Sequence, residues 1–217
     1  MTTSNGGCSE AFPDPLVRGD VAVAVSPRAF VEADLTAALA RDIDTAFEPF
    51  VIEYRQCIVK FVARMLGDAA CAEDVAQDVF VRAYAALRSY SAERRAALRL
   101  RSWVYAIAHN LTRNAVRDAP PYADSLEFDD GNERGAATID PQPGPDALAV
   151  QHETWEQIAS AVARLSPRIR PAYVMRYLDE LSYEEIAHAL QQPIGTVKAS
   201  AHRGALAVRS YLEHENV

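Results

Sequence analysis

The chain has 217 residues, 49% of them hydrophobic, with 22 Lys and Arg against 30 Asp and Glu and a formal net charge of -8. That content excludes wholesale disorder, and no run approaches the ~18 apolar residues of a membrane span or the apolar core of a signal peptide, which points to the cytoplasm. Cys8, Cys57 and Cys71 form no CxxC pair, so neither a disulfide framework nor a thiolate zinc site is expected.

Residues 1–25 mix Gly, Ser, Pro and acids without periodicity and read as a flexible tail. Ser26-Pro27 is an N-cap followed by a first-turn proline, which predicts a helix to about Arg41. Phe47, Phe50, Val51, Tyr54, Ile58, Phe61, Val62 and Met65 recur at helical spacing and predict a second helix. Gly67 caps its end, and Asp68 caps the start of a third helix carrying Val75, Val79, Phe80, Ala83 and Leu87. Ser89 to Ala97 breaks the pattern. A fourth helix is predicted from about Leu98 to Arg117, with Trp103, Ile107, Ala108, Leu111 and Ala115 inward, ended by Pro120-Pro121.

Residues 119–145 are rich in Pro, Gly and Asp, and the stretch 119–153 is acidic; they read as a flexible acidic linker. From 146 the pattern is helical again, around Leu148, Trp155, Ile158, Val162 and Leu165. Ser166-Pro167 opens the next helix, predicted to about Asp179. Ser182 and Glu185 have capping-box spacing before a short helix ending near Leu190. Pro193 begins a last helix to about Glu213, with Ile194, Val197, Ala201, Ala205, Val208 and Leu212 inward. The fold class is therefore all-α. Two small helical domains, 26–118 and 146–217, are joined by the linker.

The acidic total hides an uneven distribution. Between residues 88 and 117 seven arginines face only Glu93, and a local basic face, rather than overall charge, decides where a polyanion sits. The segment from Ser182 to Tyr211 reads as a helix-turn-helix, whose second helix enters the major groove with its first turns toward the bases. Lys198, Ala199, Ser200, His202, Arg203 and Arg209 are its expected outward positions, and Gly195 and Thr196 lie at its start, where backbone N–H groups can hold a phosphate. An ordinary helical hairpin with a solvated basic face is the plainer reading of the same spacing.

Three strings together carry a resemblance. YEEIAHALQQPIGTVKASAHRGALAVRSYL resembles the promoter-reading C-terminal domain of bacterial sigma factors of the extracytoplasmic-function (ECF) group. GDAACAEDVAQDVFVRAYAAL resembles that group's polymerase-binding helix, and LRSWVYAIAHNLTRNAVR its promoter-melting helix. The resemblance implies an alternative sigma factor that binds core RNA polymerase and directs promoter-specific transcription initiation. It implies promoter DNA and an anti-sigma factor as further partners. By matched position it places Asp74, Gln77, Asp78 and Arg82 on the polymerase-binding face. It places Arg94, Arg95, Arg101, His109, Asn110, Arg113 and Arg117 on the −10 side, where a flipped base is held, and Gly195, Thr196, Lys198, Ser200, His202 and Arg203 on the −35 side. Trp103, on the apolar stripe, reads as core.

The chain departs from that group in three places. Tyr90 and Trp103 are further apart than usual, with Arg94-Arg95 added between them. Ala199-Ser200 stands where Ser-Arg is common, and Gly204-Ala205 where Ala-Arg is common. Residues 1–44 match only loosely near their end, and the N-terminal extension has no counterpart in the group. The five histidines have no metal spacing, and GxSxG, P-loop and GxGxxG motifs are absent, so no catalytic residue, metal or cofactor is expected. The alternative is a helix-turn-helix regulator that acts without being a polymerase subunit.

Overall fold

Local sequence chemistry sets the helix boundaries. In the computed structural model the described residues are 27–118, 155 and 157–215, and no strand occurs among them. The expected tail, the linker over 119–145 and the first part of the helix expected from 146 lie outside the described residues. Helix α1 runs Pro27–Arg41 and α2 Ile43–Leu66. The Asp42 carboxylate caps α2 by accepting from the Asp44 N–H, and Gly67 ends it at φ 74°, its N–H donating to Ala63 O. Only glycine adopts that left-handed cap without a steric cost. Asp68 then accepts from the Cys71 N–H at the start of α3, Ala69–Ser89.

The expected break after α3 contains a short helix, α4, Ala92–Ala96, capped by the Ser91 hydroxyl. Helix α5 follows as Leu100–Asp118. The five helices close on Phe50, Ile58, Phe61, Val62, Val79, Leu87, Leu100 and Val104, all fully buried. Each such side chain contributes about 1.5–3 kcal/mol by leaving water. Those of α2 and α3 are the residues of the sequence stripes, as the 3.6-residue period requires; on α5 the buried line is Leu100, Val104 and Ala108, and of the stripe expected there Trp103, Ile107, Leu111 and Ala115 are only partly buried.

The second domain begins with α6, 157–163. The single helix expected from Ser166 to Asp179 is instead a turn, a four-residue helix α7 (Arg170–Tyr173) and a π-helical turn over Val174–Leu178. The Asp179 N–H donates to Val174 O, five residues back, and the Leu181 N–H to Met175 O. Helix α8, Tyr183–Leu190, starts with a complete capping box: Glu185 N–H donates to the Ser182 hydroxyl while the Ser182 N–H donates to Glu185 Oε2. Gln191 turns the chain at φ 53° into α9, Ile194–Glu215. Gly204 lets α9 lie close on α7, since a Cβ there would stand 2.8 Å from Tyr173 Cβ.

Two side chains staple these elements. The Arg95 guanidinium donates to Ala40 O at the end of α1, to Tyr90 O and to Leu87 O near the end of α3. Arg170 does the same in the second domain, donating to Ala163 O and Leu165 O, and across to Met65 O at the end of α2. Helix C-termini carry unpaired carbonyls and partial negative charge, so a guanidinium suits both sites. The Arg170 contact also shows that the two domains are docked. Helix α5 packs along α8, α2 meets the π-helical turn, and one apolar core continues from the first domain into the second.

Candidate DNA and polymerase interfaces

Helix α9 buries Val197, Ser200, Ala201, Gly204 and Val208. Gly195, Thr196, Lys198, Ala199, His202, Arg203 and Arg209 are exposed, so one side of its first turns forms an open polar face. Ser200, expected outward, is 5% exposed instead. It lies three residues after Val197 and therefore shares that residue's inward face. Its hydroxyl accepts from the Arg203 guanidinium at 3.4 Å, so it touches the outward face only through Arg203. Beside Lys198, the Tyr183 ring is flanked by two cations, with Arg176 Cζ 4.8 Å and Lys198 Nζ 5.5 Å from its centroid. Arg176 also donates to Leu181 O. Neither Arg176 nor Tyr183 is among the expected −35 residues: Arg176 precedes the helix-turn-helix, and Tyr183 opens its first helix, not the one expected in the groove.

The −10 residues separate into three groups. Arg94, Asn110, Arg113 and Arg117 are exposed. Arg94 lies over the Tyr90 ring, 3.8 Å from its centroid, and Tyr90 packs edge-on against Trp103. Trp103 is half-buried. It touches Phe50 in the core, and it also lines a cleft of about 250 Å³ with Arg82, Tyr90, Asn110 and Asn114. The core reading of Trp103 thus describes one side of its ring only. Arg95, in contrast, is committed to the carbonyls of its own domain, which removes its guanidinium from any outward face.

Arg101 and His109 form the third group: Arg101 faces the second domain, and His109 lies two turns further along the same side of α5. Residues 101, 102, 105 and 109 fall on one side of α5, the side turned to α8. Arg101 donates to the carbonyls of Asp179 and Glu180, and it pairs with Glu185 Oε1 at 3.8 Å. The Ser102 hydroxyl lies 3.3 Å from His188 Nδ1. His109 Nδ1 is sealed from solvent without a partner, and burial together with the Arg113 charge lowers its pKa to about 4.

The seam is completed from α2. Arg64 Nη1 pairs with Asp179 Oδ1 at 2.7 Å, the carboxylate side chain being 4% exposed. Burial pushes the Asp179 carboxyl up to about 6, outweighing the opposing pull of Arg64, the Tyr105 hydroxyl and Arg101. Tyr105 lies beside the carboxylate, yet its hydroxyl and Asp179 Oδ2 each lack a hydrogen bond of good geometry. Sequence reasoning missed Arg64, Asp179, Arg170 and His188 as a group. Arg64 and Asp179 are 115 residues apart, and no local pattern marks such a pair.

On α3, Asp74, Gln77, Asp78 and Arg82 are exposed along one side, with Val81 among them at 60% exposure. Ala72, Ala76, Val79, Phe80 and Ala83 occupy the opposite, buried side. The polar residues are therefore available together to a partner. Among the described residues, no cluster of His, Cys, Asp and Glu could hold a metal ion, and no helix is long and apolar enough to cross a membrane.

The family model of sigma-70 region 2 matches residues 50–120, and that of sigma-70 region 4 matches residues 155–208. The ECF RNA polymerase sigma factor SigW of Bacillus subtilis is 34% identical over 170 residues, which is 77% of this chain and 89% of SigW. Among solved structures, CnrH in complex with the cytosolic domain of CnrY superposes with a TM-score of 0.61 at 19% identity, over 84% of this chain and 97% of that one. The sigma factor RpoE of Bartonella quintana, in complex with the anti-sigma factor NepR, gives 0.57 at 20% identity, over 77% and 96%. At those identities the two structures speak for the fold.

Proposed function

Since this chain belongs to the ECF group of RNA polymerase sigma factors, we propose how its surfaces divide the work of that group. The chain binds core RNA polymerase and directs it to start transcription at particular promoters. It contributes positioning, and the polymerase does the chemistry, so the chain is no enzyme and works in the cytoplasm with the polymerase.

The observation that carries this division is the pairing of an open polar face on α9 with a region 2 domain whose α3 face is also free. In the proposed division, residues 26–118 bind polymerase and melt the −10 element, and 146–217 read the −35 element. The α3 residues Asp74, Gln77, Asp78 and Arg82 meet the polymerase. On α9, Arg203 reaches a guanine edge in the major groove, where a bidentate contact discriminates by ~1–3 kcal/mol. Lys198, nearer the helix start, meets phosphate together with the N–H groups at Gly195 and Thr196. The cleft between α3 and α5 suits an extruded −10 base. Tyr90 and Trp103 supply aromatic faces and Asn110 and Asn114 supply amides, which together offset the few kcal/mol lost on unstacking.

Bartonella RpoE is held by an anti-sigma factor, and a protein partner of that kind is proposed for this chain too. In vitro transcription with core polymerase and a promoter library tests the function. Transcripts should come from a subset of promoters sharing −35 and −10 sequences. A chain that binds promoter duplex alone and adds no transcripts with core polymerase is a free-standing regulator instead.

A further inference from the structure

We propose that Arg95 is a positioning residue for the −10 base: with Arg94 it holds Tyr90 in place, so that the cleft between α3 and α5 is shaped before DNA arrives. This rests on the −10 reading of that cleft given above.

The segment that carries the two arginines cannot hold itself. Helix α4 has five residues, and none of them is buried. A helix that short is marginal in water without outside support. Here the support is polar. The Ser91 hydroxyl caps its start by accepting from the Arg94 N–H at 3.3 Å. The Arg95 guanidinium donates to Tyr90 O at 2.6 Å, to Ala40 O at 3.0 Å and to Leu87 O at 3.5 Å. These acceptors lie at the ends of α1 and α3, where carbonyls have no partner within their own helix. A planar guanidinium serves several carbonyls in fixed directions, which the point charge of a lysine does not.

One of those carbonyls belongs to Tyr90 itself. Arg95 therefore fixes the Tyr90 backbone, while Arg94 lies over its ring, 3.8 Å from the centroid. The ring is seated edge-on against Trp103, the centroids 6.3 Å apart. Arg94 covers the ring without lining the cleft, so Tyr90 still supplies a wall beside Trp103, Asn110 and Asn114. The arginine pair that lengthens the segment between Tyr90 and Trp103 thus grips the residue that precedes it.

The consequence is energetic. A loop and a side chain that must be ordered on binding subtract from affinity, whereas a wall already in place does not. An extruded base has to recover its lost stacking, so a fixed Tyr90 matters most for the nucleotide in the cleft. The bond to Ala40 O brings α1 into the same frame. Helix α1 lies before the residues that match sigma-70 region 2, yet its last turn helps to set the −10 cleft.

The test measures binding of single-stranded DNA to the full chain assembled with core polymerase. A strand selected on the wild type from a pool randomised over the −10 window is compared with the same strand made abasic at each position in turn. The position with the largest loss is the one the cleft holds. Arg95→Ala should cut that base-over-abasic preference roughly ten-fold and leave affinity for the abasic strand nearly unchanged. Arg95→Lys, which keeps the charge but not the fork, should lie between. Arg99→Ala removes the same charge from an exposed position nearby and should weaken both strands alike, if at all. In a Tyr90→Ala background Arg95→Ala should have no further effect on the preference, because Arg95 acts through Tyr90. Circular dichroism checks folding, and Arg95→Lys carries the test if Arg95→Ala does not fold. Equal weakening of both strands by Arg95→Ala, an unchanged preference, or additivity with Tyr90→Ala overturns the proposal. If the wild type shows no base-over-abasic preference at any position, the −10 reading of the cleft fails and takes the role of Arg95 with it.

Discussion

Helices α5 and α9 are built alike, each a long amphipathic helix with cations on its outer side, yet their surroundings differ. The face of α9 with Lys198, His202 and Arg203 is open, whereas α5 turns Arg101 into the second domain and buries Nδ1 of His109. Residues that share a helix need not share a function at a given moment: on α5, Asn110 and Arg113 remain exposed while His109, their neighbour, does not. The difference shows that the outward face of a domain is defined only once the other domain is in place.

The comparison matters only if a third surface brings the chain to polymerase, and this is where the largest effect is expected. Charge reversal with Asp78→Arg and Arg82→Glu should abolish co-purification with core polymerase while leaving helicity intact. Retained co-purification means that the α3 face has been misassigned. Next in size is Gly204→Ala. The added methyl would stand 2.8 Å from Tyr173 Cβ, which cannot rotate away, so α9 must shift from α7. A loss of ~1–3 kcal/mol in urea unfolding is expected. An unchanged midpoint would show that α9 is less tightly seated than its open face requires.

Sharpening the α9 side requires separating two cations. Arg203→Ala should relax preference at particular −35 positions by ~1–3 kcal/mol, whereas Lys198→Ala should weaken all promoters alike and flatten the salt slope by about one unit. Transcription from −35 point variants at two salt concentrations reads both. A uniform loss for Arg203→Ala makes it a backbone contact.

The smallest effect sharpens the α5 side. The Asp179 carboxyl is raised by burial to about 6 from its ordinary 3.8, against the pull of Arg64, Tyr105 and Arg101. A raised folded-state pKa means that docking is favoured by protonation: this contribution is full below about pH 4 and is lost as pH rises through about 6. Between pH 7.5 and 5.5 docking in the wild type should therefore gain ~1 kcal/mol relative to Asp179→Asn, read as the difference in domain separation between the two proteins. Comparison with Asp179→Asn cancels His109, whose lowered pKa acts in the opposite direction. A gain of opposite sign would show that the Arg64 pair, and not burial, dominates.

What was legible in the sequence was local. Gly67, the Asp68 cap, the Ser182–Glu185 capping box and the apolar stripes of α2, α3 and α5 each announce themselves within a few residues, because caps and periodicity are short-range effects. The four-residue α7 and its π-helical turn were not legible, since Ser166-Pro167 followed by an apolar run reads equally as one helix. Ser200 was readable and misread. Its spacing from Val197 and Ala201 puts it inward, but its polarity drew it to the outer face. Matched position put Arg95 on the −10 side, and nothing local in the sequence shows that carbonyls at the ends of α1 and α3 take its guanidinium. Arg64 with Asp179 lay beyond any sequence argument, because their contact depends on how one domain meets the other.

The central claim is that in the free chain the outer face of α9 is open while the side of α5 that carries Arg101 is covered by the second domain. The histidines test it directly, because His109 lies on the covered side of α5 and His202 on the open face of α9. Acylation of histidine by diethyl pyrocarbonate, followed residue by residue with mass spectrometry, should label His202 at least ten-fold faster than His109 in the free full-length chain. Equal rates for the two histidines in the free chain would contradict the account.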